Sequence, residues 1–145
     1  MGLPLFMGQY KHNLDQKNRL FIPAKLREGL GDSFILCMPP NGDKCLFAYT
    51  MKDWEELSDR INDQPKSRQL TMQQRFTYYN IDTVEADKQG RITIKTNFCD
   101  FAGLDKDVFI LGAGRRVEFW NPALWDEMVE TAKENGEYTT FDLPY

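Results

Sequence analysis

At 145 residues the chain can hold one domain with a sizeable core and is too short for two. Hydrophobic residues make up 41% and aromatics 13%, and no apolar run approaches the ~20 residues needed to cross a bilayer, so the reading is a soluble globular protein. A net charge of −4 excludes a protein basic all over, so a polyanion-binding role needs a local patch.

In chain order, the residues before Met7 read as an extension at a variable start, with no role, and a single domain is expected over residues 7–145. They lack the basic and long apolar regions of an export signal, so a cytoplasmic location is expected. In "NLDQKNRLFIPAKLR" the segment "RLFIP" alternates as a strand, with Leu20 and Ile22 on one face. Pro23 is placed to open a short helix, and Gly29 or Gly31 to close it. "SFILCM" and "CLFAY" read as strands flanking "PPNGDK", where Asn41 and Gly42 favour a tight hairpin turn. Thr50 with Asp53 resembles a capping box for a helix that turns Trp54, Leu57 and Ile61 inward. Pro65 introduces a further helix over about residues 66–79, with Leu70, Phe76 and Tyr79 available to the core.

The series then restarts. "EADKQGRITIKTNF" carries the strand "RITIK", with Ile92 and Ile94 on one face; "VFILG" and "RVEFW" flank a shorter Gly-Ala-Gly turn. Asn121 and Pro122 open a last helix with Trp125, Met128, Val129 and Ala132 inward. Asp15 and Arg19 recur 72 positions on as Asp87 and Arg91; Leu20 and Ile22 as Ile92 and Ile94; Gly29 and Leu30 as Gly103 and Leu104. Phe47 is matched with Phe119, and Trp54 with Trp125. Two repeats, residues 9–61 and 81–132, are therefore expected, joined by the helix at 66–79. A half of about 50 residues buries too little apolar surface to stand alone. The halves should interlock into one pseudo-two-fold domain, mainly β with short helices.

The D-x-x-x-R spacing is weak by itself, since 13 Asp and 8 Arg in this length produce it about 0.7 times by chance. Context strengthens it. In each copy the residue before Arg tolerates positive φ, Asn18 in one and Gly90 in the other. Asp at the start of a type I turn and a left-handed residue at its end describe a three-residue hairpin loop with a bulge. Asp15 and Asp87 then bind their loops' own amides and hold Arg19 and Arg91 in one orientation. Lys17 and Lys88 adjoin the tips, and Lys11, Lys25 and Arg27 cluster near the first loop. Such tips offer preorganised charge to phosphate. Residues 1–28 carry five cations against two acids, and residues 117–145 seven acids against Lys133, so the acidic end should face away from a polyanion.

"GQYKHNLDQKNRLFIPAKLREGL", "DKQGRITI" and "FAGLDKDVFILG" resemble the MraZ proteins, with two AbrB/SpoVT-type swapped-hairpin repeats in one chain, from about residue 7 to 132. The resemblance implies a double-split β-barrel that assembles into a ring-shaped homo-oligomer. It also implies a nucleoid-associated regulator that binds short direct repeats in double-stranded DNA upstream of the division and cell-wall gene cluster. The family's motif residues fall on Asp15 and Arg19, and on Asp87 and Arg91. Asn18 stands where the family commonly has Gly. Lys95 and Cys99 depart from the pattern in the second repeat, where a basic position is lost.

Two rivals stay open. Catalysis would need a cysteine with His12, the one imidazole, and Cys99 or Cys45 is the candidate; buried apolar roles suit the cysteines better. Three cysteines without a C-x-x-C pair support neither a disulfide framework nor a zinc site, and no metal, cofactor or small-molecule substrate is expected. The other rival is an antitoxin-like or scaffold barrel whose main partner is a protein, with "RFTYYNID" as a contact.

Overall fold

The computed structural model describes residues 5–139. Among these, eight strands and five helices form an α+β structure in which all pairing is antiparallel. The first half contains β1 (Gln9–Asn13), β2 (Arg19–Phe21), α1 (Ala24–Leu30), β3 (Ser33–Cys37), β4 (Leu46–Thr50) and α2 (Met51–Asn62). α3 (Arg68–Tyr79) follows. The second half repeats the order as β5 (Ile81–Glu85), β6 (Arg91–Thr93), α4 (Thr96–Ala102), β7 (Asp107–Gly112), β8 (Val117–Trp120) and α5 (Pro122–Glu134).

The halves exchange strands. A six-stranded sheet runs β1-β7-β8-β4-β3-β5, and β2 pairs with β6 in a separate ribbon. Exchanging each strand for its counterpart in the other half reverses the order without changing it. Leu20 faces Ile92 at the middle of the ribbon, and Phe47 faces Glu118 in the sheet. Phe47 is therefore the counterpart of Glu118, not of Phe119 as the sequence match suggests. Phe119 points to the opposite face, fully buried in the larger core, because neighbours on a strand alternate.

Both faces of the sheet are covered. On one, Phe34, Leu36, Leu46, Ala48, Val108, Ile110, Val117 and Phe119 pack with Leu20 and Ile92 of the ribbon, Leu26 of α1 and Phe98 of α4. On the other, Cys37, Cys45, Phe47, Phe109 and Trp120 meet Leu124, Trp125 and Met128 of α5. Trp125 stands 4.8 Å from Phe109 and 5.4 Å from Trp120, ring centroid to ring centroid. The inward set of α5 is only half-buried, the exposure of a helix lying on an outer surface.

Four further expectations need correction. Phe6, assigned no role, is 4% exposed; its backbone bridges Gly114 and its ring lies against Gly29, where a Cβ would come within 2.6 Å. The turn at Asn41 and Gly42 is a wide loop over residues 38–45, because Pro39 and Pro40 have no N–H to continue a ladder. On α3, Leu70 is buried as expected, but Phe76 and Tyr79 are 62% and 82% exposed. Tyr78 turns inward in their place, edge-on to Trp54 and hydrogen-bonded to Ser58 and Asn62. The capping box is half made: the Thr50 hydroxyl accepts from the Asp53 amide at 3.0 Å, but the Asp53 carboxylate is buried and taken by Arg115 through two bonds of 2.7 and 3.2 Å.

Candidate nucleic-acid interface

Each D-x-x-x-R loop is organised by its aspartate. In the first, the Asp15 carbonyl accepts from the Asn18 amide at 3.0 Å, and the Asp15 amide donates to the Arg19 carbonyl at 3.0 Å. One carboxylate oxygen accepts from the amides of Lys17 and Arg19 at 2.9 and 2.8 Å, and the other from Arg19 Nε at 2.7 Å. Asn18 takes φ 59°, the one positive φ outside glycine among the described residues. The second loop repeats the set. Asp87 accepts from the amides of Gln89 and Arg91 at 2.9 Å each and from Arg91 Nε at 2.9 Å, and Gly90 has φ 79°. In both loops the bond from the Arg backbone amide is the main cause that holds the aspartate below the usual carboxylate range, with the side-chain bond adding to it.

The β2–β6 ribbon brings the loops together. Leu20 and Ile92 are fully buried beneath it, so Arg19, Phe21, Arg91 and Thr93 share its outward face. Arg19 lies opposite Thr93 and Arg91 opposite Phe21, which makes the two arginines a diagonal pair across the ribbon. Both side chains are accessible, at 31% and 28%. Each loop is also tied to the other half: the Ile22 amide donates to the Gly90 carbonyl at 2.9 Å, and the Ile94 amide to the Asn18 carbonyl at 2.8 Å. Neither loop can shift without the opposite repeat.

The other predicted cations are placed unequally. Lys17 and Lys88 are exposed at the tips, and Lys25 is exposed on α1. Lys11 is exposed too, but it alternates with His12, whose ring is 5.2 Å from that of Phe21, so it leaves β1 on the other side. Arg27 is half-buried, with Nη1 donating to the Ile22 carbonyl at 3.1 Å and its guanidinium carbon 5.7 Å from the Phe21 ring centre. Lys95, which departs from the family's pattern in the second repeat, is paired with Asp82 at 3.3 Å. Phe21, 37% exposed at the centre of this face, escaped the sequence reading. The signal was present, since a strand that turns Leu20 and Ile22 inward must turn Phe21 outward.

The three cysteines are buried. Burial pushes the Cys37 thiol up to about 12 and raises Cys45 and Cys99 as well, which works against a thiolate nucleophile. Cys99 also donates to the Ile94 carbonyl at 3.8 Å. Acidic α5 lies against the sheet face opposite the ribbon; the residues beyond 139 fall outside those described. Among the described residues no helix is long and apolar enough to cross a membrane.

The chain matches the family model "MraZ protein, putative antitoxin-like" over residues 5–76 and 78–142. It is 42% identical over 123 residues to the transcriptional regulator MraZ of Acetivibrio thermocellus, covering 84% of this chain and 85% of the relative. It is 39% identical over 134 residues to the protein of the same name from Natranaerobius thermophilus, and 40% identical over 134 residues to that of Heliobacterium modesticaldum, with 92% of both chains covered in each case.

Proposed function

Because the chain belongs to the MraZ family, we propose that it is a sequence-specific DNA-binding transcriptional regulator of the division and cell-wall gene cluster, acting in the cytoplasm at the nucleoid. The observation that carries the reading is the shared outward face of the ribbon, where two arginines are each aimed by a carboxylate. A two-stranded ribbon fits the major groove of B-form DNA, and a guanidinium held in one plane suits both phosphate and the edge of guanine. Arg19 and Arg91 make the groove contacts. Lys17 and Lys88 reach phosphates on either side, Lys25 adds a charge from α1, and Asp15, Asn18, Asp87 and Gly90 keep the loops in shape.

A single chain offers few such contacts, so its own affinity is modest. A ring-shaped homo-oligomer that binds a series of short direct repeats overcomes this by effective concentration. The interleaved strand pairing supports describing each subunit as a swapped-hairpin, double-split barrel. Arg19→Ala is expected to cost ~10-fold or more in affinity for duplex carrying the promoter repeats, with thermal unfolding unchanged. Unaltered affinity in a gel-shift titration would remove Arg19 from the interface. The second reading, a barrel devoted to a protein partner, draws on the antitoxin-like description of the family model and on exposed Phe76 and Tyr79. Ionic strength separates the two, because duplex affinity that falls steeply with salt belongs to the regulator alone.

A further inference from the structure

The two loops share one design but are braced by different means, and the differences are paired across the molecule. α1 and α4 stand in the same register of their repeats, so Arg27 and Cys99 occupy equivalent positions, as do Asn18 and Gly90. Arg27 donates to the Ile22 carbonyl at 3.1 Å, and Cys99 donates to the equivalent carbonyl of Ile94 at 3.8 Å. The guanidinium reaches further than the thiol. It lies against Gly90, where a Cβ would stand 2.0 Å from Nη1 and 2.9 Å from the guanidinium carbon, and Phe21 closes the same space at 3.3 Å. At the first loop the left-handed residue keeps a side chain: the Asn18 amide sits 3.5 Å from the Thr96 hydroxyl of α4, the helix that carries the short Cys99. The left-handed residue of the second loop is thus bare and meets the long side chain of α1, while that of the first loop keeps a side chain and meets Thr96 of α4.

We propose that Arg27 is the positioning residue of the second loop: packed against Gly90 and Phe21, its planar guanidinium fixes the backbone that aims Arg91, while Asn18 and α4 brace the first loop without it. This makes Arg27 a part of the opposite repeat's finger, not an independent phosphate contact. The binding arm of the test rests on the DNA reading above, and the loop-order arm does not.

The full chain is compared with Arg27→Lys, Arg27→Ala, Gly90→Asn and the triple variant Ala24→Thr/Arg27→Cys/Gly90→Asn. Amide hydrogen exchange is measured, along with affinity for a synthetic duplex taken from the chain's own upstream region. Lysine keeps the charge but not the planar group, so Arg27→Lys should behave as Arg27→Ala. In both, the Gln89, Gly90 and Arg91 amides exchange roughly tenfold faster, while those of Lys17, Asn18 and Arg19 and of the core strands are unchanged. Gly90→Asn alone loosens the same amides, and Ala24→Thr with Arg27→Cys in that background restores them by copying Asn18, Thr96 and Cys99 of the first loop. Duplex affinity falls roughly tenfold in Arg27→Lys, and Arg91→Ala adds little on top, because both changes disable one finger. Wild-type exchange in Arg27→Lys, no restoration in the triple variant, or losses at Arg27 and Arg91 that multiply as separate contacts would each overturn the proposal. Absence of any duplex affinity in the wild-type chain would defeat the regulator reading, and the exchange pattern would still decide the role of Arg27.

Discussion

The residue that most shapes the candidate site is the aspartate of each loop, since a carboxylate that accepts two amides and one guanidinium hydrogen bond fixes backbone and side chain together. Its protonation should be the first event to loosen the loop. Both aspartates are held below the usual 3.8, so their contribution is fully present above that value and is lost as pH falls through the lower, folded-state one. Carbon-detected titration of the Asp15 and Asp87 carboxyls should therefore give midpoints below the ordinary aspartate value of 3.8. Midpoints at the ordinary value would mean that the loop bonds do not persist in solution. Asp87→Asn should weaken duplex binding by about as much as Arg91→Ala, because an unaimed guanidinium loses most of its advantage over solvent. The motif, the left-handed residue and the carboxylate-to-arginine bond could all be read from the sequence, since each is a local consequence of residues four apart. Engagement of Arg27 by Gly90 could not, because it joins positions 63 residues apart through a packing contact that leaves no periodic trace.

At the scale of elements, helix and strand types followed the sequence closely, while the orientation of side chains at their edges did not. Ser67 and Asn121 cap α3 and α5 through their side chains, and Pro122 opens α5, as local propensity dictates. Phe76 and Tyr79 could not be told from Tyr78 by apolar spacing alone; the choice was settled by Trp54, Ser58 and Asn62 on α2, a neighbour that no pattern within α3 reveals. The contact between Phe6 and α1 is likewise tertiary. Gly29 sits within a helix, where alanine ordinarily stabilises by ~0.5–1 kcal/mol. Here the added methyl meets the Phe6 ring at 2.6 Å, so Gly29→Ala should destabilise. Phe6→Ala should cost ~3–5 kcal/mol by emptying a buried ring site. In the Phe6→Ala background, Gly29→Ala should turn neutral or stabilising. Urea unfolding of the four proteins closes this cycle, and additive effects would show that the two residues do not touch.

The whole molecule joins the fingers to one another, and its symmetry sets what they can do. The recurrence of Asp, Arg and the apolar runs 72 positions apart is legible in the sequence. The exchange of β1 to β7 and of β5 to β3 is not, because alternation tells which face a strand buries and not which strand lies beside it. The pairing of β2 with β6 brings Arg19 and Arg91, distant in sequence, onto one face, and the acidic α5 lies on the far side of the larger sheet. A fragment ending between α2 and α3 would leave β1 without β7, its one neighbour in the sheet, and β3 without its outer neighbour β5, so as a monomer it should show no cooperative unfolding. Charge on the ribbon then bounds how one subunit answers to salt. If Lys17, Arg19, Lys88 and Arg91 each neutralise one phosphate, log affinity should fall against log salt with a slope of about −0.9 per contact, or roughly −3 to −4 for one engaged subunit. Duplexes with two and three repeats should steepen the slope in proportion, because each added repeat engages the same face of another subunit, whereas Glu127→Gln and Glu130→Gln on α5 should leave it unchanged. A slope that stays constant as repeats are added would mean that only one ribbon touches DNA at a time, and the assembly would then contribute nothing to recognition beyond local concentration.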